Sequence, residues 1–102
     1  MYEIDPERLD LAREFRARPH GVHSAELQRV LNRMRLQPLA GRYALVVVEP
    51  YRRWMLARLS GRRGVPPTLF PERQFDDIAE AEWAIFRLRW ELLTGRALEL
   101  PE

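Results

Sequence analysis

The residues able to do chemistry are few, and each has a structural use close at hand. His20 and His23 are separated only by Gly21 and Val22. A metal site draws three or four ligands onto one point, and the nearest carboxylate, Glu26, carries no mark of a ligand. The pair reads as loop histidines before a helix start. Ser24 follows His23, but neighbouring side chains at a helix start diverge, and Ser24 is placed to cap. Ser60 lies beside Gly61 in a loop, without the strand-turn-helix setting of a nucleophile elbow. Asp76 and Asp77 are adjacent carboxylates that suit acid–base work, yet they stand where a helix needs its free N–H groups satisfied. Gly61-Arg62-Arg63-Gly64 lacks the lysine and hydroxyl residue of a phosphate cradle. The expected catalytic set, metal site and cofactor are therefore all none in this chain.

Arginine is the remaining reactive type. All 17 basic side chains are arginine. A GC-rich coding sequence accounts for that choice, and so would a use for arginine's planar fork on carboxylate or phosphate. The clusters are Arg52-Arg53, Arg58 with Arg62-Arg63, Arg29 with Arg33 and Arg35, and Arg87 with Arg89. Acids interleave with them: Glu7, Asp10 and Glu14 early in the chain, and Glu80, Glu82 and Glu91 late. The formal net charge is only +2. Nucleic-acid readers show a one-sided basic stripe, so solvated faces and ion pairs are the better expectation.

The elements that position these residues follow from a chain of 102 residues with 46% hydrophobic content, enough for one core. The expectation is one domain over 1–102, with an N-terminal helix and loop to 22, a core over 23–94 and a loose tail over 95–102. The absence of cysteine excludes disulfides and thiolate metal sites and fits a reducing compartment. The longest apolar run, Tyr43 to Val48, is far below the roughly 20 residues that span a bilayer. The acidic first residues lack the apolar core of a secretory signal. A soluble, cytoplasmic protein with no membrane contact is expected.

Asp5-Pro6-Glu7 predicts a helix from about Pro6 to Arg16, ended by Pro19 and Gly21. Ser24 caps a second, in which Leu27, Val30, Leu31 and Met34 share one face; Pro38 and Gly41 close it. Arg42 to Glu49 is the best strand. Trp54 to Leu59 predicts its antiparallel partner, with a helix from Pro50 as the rival reading. Val65 to Arg73, with three prolines, predicts an extended surface loop. Asp77-Ile78-Ala79-Glu80 reads as a capping box opening a long helix to Thr94, closed by Gly95. The fold class is α+β, a small single domain of order α-α-β-β-α, with an antiparallel β-hairpin packed against the long C-terminal helix. Trp83, Phe86, Trp90 and Leu93 broaden that helix's apolar stripe beyond what a hairpin covers, which predicts an interface.

The stretch Ser24-Ala25-Glu26-Leu27-Gln28-Arg29-Val30-Leu31-Asn32-Arg33-Met34-Arg35-Leu36-Gln37-Pro38, followed by Gly41-Arg42-Tyr43, resembles the small subunit of N,N-dimethylformamidase. That family has a similar Leu-Gln-Arg-Val…Asn…Arg-Met-Gln-Pro run and a Gly-Lys-Tyr strand start. Order is kept downstream through Glu49 to Trp54, Arg73-Gln74-Phe75, Glu80-Ala81 and Ala84-Ile85-Phe86-Arg87-Leu88-Arg89. Pro50 interrupts a segment that is acidic in the family, and this chain has a shorter start. A paralogue serving another large subunit, or an independent protein, would show such departures.

The resemblance implies an accessory chain bound to a large catalytic amidase-like subunit that holds a mononuclear iron and the amide-hydrolysing site. It implies no catalytic residue here. The candidate partner contacts are Gln28, Arg29, Asn32, Arg35 and Gln37, joined by Trp83, Phe86, Arg87 and Trp90 of the last helix. A stand-alone module that homodimerises through the hairpin edge or last helix is the alternative function. A small arginine-rich nucleic-acid binder is the second.

Overall fold

The structure, a computed structural model, describes residues 2–38 and 40–100. The elements run α1 (Leu9–Ala17), α2 (Ala25–Arg35), β1 (Tyr43–Glu49), β2 (Arg53–Arg58), β3 (Thr68–Phe75) and α3 (Ile78–Thr94). The fold is α+β, of order α-α-β-β-β-α. The chain forms two compact units. One holds the residues up to Gln37 together with those from Phe86 onward; the other is Pro38–Ile85.

In the first unit, α2 begins as capping chemistry requires. Ser24 is extended at the cap, and its Oγ accepts from the Leu27 N–H at 3.2 Å. The face carrying Leu27, Val30 and Met34 is buried. The first helix starts later than Asp5-Pro6-Glu7 suggests. The Asp5 carboxylate accepts from the Glu7 N–H at 2.9 Å and its carbonyl from the Arg8 N–H at 3.1 Å. Those residues make a separate turn, so the helix opens at Leu9. Its inward side chains are Leu11, Ala12 and Phe15. The Phe15 ring stacks on Phe86, with centroids 4.3 Å apart and planes within 13°. Phe86 in turn meets Trp90 at 5.7 Å. Gly95 ends α3 with a φ of 75° and donates to the Glu91 carbonyl at 2.8 Å. The segment beyond it was expected to be loose, but Leu98 is only 3% exposed. An apolar side chain removed from water ties that segment down.

In the second unit the strands form one antiparallel sheet of order β1-β2-β3. The β1–β2 hairpin is present, and the rival helix from Pro50 is not. Buried Leu56 and Ala57 of β2 share this unit with buried Ala81 and Ile85 from the start of α3. The Asp77 carboxylate caps that helix, accepting from the Ala79 N–H at 2.9 Å.

The third strand corrects the expected surface loop. Its single proline, Pro71, is tolerated for a local reason. Leu56 pairs with Phe70 while Met55 pairs with Gln74, so Pro71, Glu72 and Arg73 fall in an irregularity of an edge strand. Proline removes a ladder donor and is confined to such places.

The β1–β2 connection is a turn over Glu49-Pro50-Tyr51-Arg52, in which the Arg52 N–H donates to the Glu49 carbonyl at 3.0 Å. Pro50 fixes its own φ near −65°, and Tyr51 has a φ of 65°. That combination is a type II turn, whose third position favours glycine or asparagine. A tyrosine there costs on the order of 1 kcal/mol. Just before it, Val48 is a bulge, unpaired between Val47↔Trp54 and Glu49↔Arg53.

Two substitutions test the backbone. A Cβ on Gly61 would stand 2.5 Å from the Ala40 nitrogen, at a φ of 72°. Gly61→Ala should destabilise by about 3 kcal/mol in urea unfolding. Gly64 also has a positive φ but open space around it, so Gly64→Ala should lose only about 1 kcal/mol. Equal losses would refute the close-approach argument. Trp90 is 1% exposed, and Trp90→Ala should lower stability by about 3–5 kcal/mol in the same experiment.

Candidate functional site

Most of the side chains with reactive potential are engaged in structure. His23 Nε2 lies 2.8 Å from the Arg18 carbonyl, which can only accept, so that nitrogen carries the proton. Its ring is 6.1 Å from Phe15. Ser60 organises its loop: its Oγ donates to the Val65 carbonyl at 2.9 Å and accepts from the Arg62 N–H at 3.1 Å. Arg58, one of the clustered arginines, donates to the Gly41 carbonyl at 3.1 Å and lies over the Tyr43 ring at 5.4 Å. Among the described residues, no group of three or more histidines and carboxylates gathers where it could hold a metal ion.

Ser24 has a second partner that sequence reasoning missed. Its Oγ and its backbone N–H both donate to the Glu14 carboxylate, each at 2.7 Å. Glu14 thereby ties α1 to the cap of α2. Arg8 does so at the other side, pairing with Asp10 and with Glu26 in the first turn of α2. These are exposed pairs, and exposed ion pairs contribute little each; their value is in setting the α1–α2 corner. No local sequence signal marks a carboxylate as the partner of a serine ten residues on.

The corner decides which side of α2 faces water. Arg29 and Asn32 are exposed, and Gln28, half-buried, donates to the Asn32 side chain at 3.2 Å. Leu36, at the C-cap, is 68% exposed. Ala25, Arg29, Asn32 and Leu36 follow at intervals of four, three and four, which is one helical stripe. It lies opposite Leu27, Val30 and Met34. Arg35 is also exposed, at the stripe's margin. Four of the expected contacts are thus collected on or beside one outward face.

The remaining candidates fall elsewhere. Gln37 is buried, and its side-chain oxygen has no hydrogen-bond partner among the described residues. Trp83, Phe86 and Trp90 are 8%, 2% and 1% exposed, so the apolar excess expected of α3 is absorbed inside the chain. Phe15 of α1, stacked on Phe86, supplies cover that the hairpin alone was not expected to give. Arg87, by contrast, is exposed, as is Leu92 on the same helix. A cleft of about 340 Å³ lined by Glu3, Ile4, Arg33, Leu93 and Thr94 is open and offers no converging reactive set. No helix among the described residues is long and apolar enough to cross a membrane.

Fold and surface together define a small α+β domain with an exposed polar helix face edged by leucine. The family model for the N,N-dimethylformamidase alpha subunit matches residues 3–99, nearly the whole chain, and the chain belongs to that family. It is on that ground a subunit of a dimethylformamidase complex, and an alpha subunit implies other subunits beside it. No curated protein matches the chain.

The corner has a pH signature. The Ser24 hydroxyl, then its N–H, hold the Glu14 carboxyl below its ordinary range. A carboxylate depressed in the fold adds stability that is complete above its unfolded value, near pH 4.3. That stability is lost as pH falls through the folded value. The thermal advantage of wild type over Glu14→Gln should therefore be full at neutral pH and shrink between about pH 5 and pH 3. An advantage independent of pH would contradict the bridge.

Proposed function

We propose that this chain is a non-catalytic accessory subunit that binds a large catalytic chain of an amide hydrolase similar to N,N-dimethylformamidase, and stabilises it. The observation that carries the reading is the outward face of α2, where Arg29, Asn32 and Leu36 lie in one exposed stripe. An exposed leucine beside arginine and an amide has the make-up of a small interface, in which arginine and apolar anchors carry most of the binding energy. Family membership supplies the partner class. The internal use of His23, Ser24 and Ser60 supports placing catalysis on the other chain. Gln28, Arg35 and Arg87 would lie at the edge of such a contact.

The test is affinity for the purified large chain by calorimetry. Arg29→Glu combined with Leu36→Ser should weaken binding by about tenfold or more and leave the melting temperature of this chain nearly unchanged, because both side chains are exposed. Arg63→Glu, in the loop before β3, should bind as wild type. A double variant that binds normally would refute the α2 face as the contact.

A further inference from the structure

The turn at the β1–β2 tip places a tyrosine where the backbone favours glycine. Tyr51 has a φ of 65° and is 95% exposed, so its ring buries almost nothing in this chain to offset the strain. The surrounding surface is apolar as well: Val47 and Val48 are 55% and 40% exposed, and Pro50 is exposed beside them. The bulge at Val48 accompanies this exposure at the end of the ladder. Two exposed cations, Arg52 and Arg53, follow Tyr51 in sequence, with Glu49 the acid of the same turn.

We propose that Tyr51 is an aromatic anchor presented by the hairpin tip to the large chain of the complex, seated in an apolar pocket with a carboxylate rim. The proposal rests on the accessory-subunit reading above. Tyrosine suits the role, since a rigid ring brings a large apolar area with little side-chain entropy to lose, and its hydroxyl can stay at the wet edge. Charge selects the occupant. A two-fold contact between copies of this chain would set two patches of the same net sign together, four arginines against two glutamates. A partner with carboxylates around the pocket meets those arginines with the opposite sign.

The experiment titrates the purified large chain with wild type, Tyr51→Gly and Tyr51→Phe. Glycine relieves the turn, so Tyr51→Gly should raise the melting temperature of the isolated chain by about 4 °C, yet bind at least about tenfold more weakly. Tyr51→Phe keeps the ring and should bind within about threefold of wild type. Tight binding by Tyr51→Gly overturns the anchor while leaving the accessory-subunit reading intact. A wild-type chain with no affinity for the large chain overturns both. Self-association that depends on Tyr51 and that the large chain does not displace assigns the tip to a second copy and overturns the choice of occupant.

Discussion

The stack of Phe15 on Phe86, continued to Trp90, is the contact on which the helical unit depends. A chain of this length buries a modest fraction of its surface, so a few large rings carry much of its core. Aromatic pairs in offset contact add to the area they bury. With Phe15 held on α3, the face of α1 that bears Leu11 and Ala12 is committed inward. The Glu14 bridge to Ser24 then fixes where α2 begins, and the buried Leu27, Val30 and Met34 fix its rotation. The exposed stripe of Arg29, Asn32 and Leu36 is what that rotation leaves outside.

Much of this was legible in the sequence because the signals were local. Ser24 and Asp77 mark helix starts by capping chemistry, and both carry out that chemistry. The period of Leu27, Val30 and Met34 identifies the buried side of α2. The β-branched run from Tyr43 onward is a strand, paired with the segment beginning at Arg53. What was illegible depended on partners distant in sequence. β3 is hidden because proline density argues for a loop, and only the irregular pairing of β2 with β3 makes room for Pro71. The apolar stripe of α3 was expected to seek an external partner, since nothing local announces that Phe15 will cover Phe86. The role of Leu98 in anchoring the last segment is equally non-local. For the candidate contacts, sequence located Arg29 and Asn32 on one helix, but only the fold separates them from buried Gln37.

The functional reading joins these strands. Several side chains with reactive potential, His23, Ser24 and Ser60 among them, are bound into caps, turns and loop bonds. Two surface features stand out among the described residues: the exposed α2 stripe, and the strained tip at Tyr51. Each belongs to a different compact unit, so each is testable by itself. Membership of the N,N-dimethylformamidase alpha subunit family gives both a common candidate partner.

The most direct test of that account is the mass of the species formed when this chain is co-expressed with the large chain of the complex, measured by light scattering after gel filtration. The account predicts a single hetero-oligomer of fixed stoichiometry that contains both chains. Elution of this chain by itself, with the large chain unchanged in mass and stability, would contradict it.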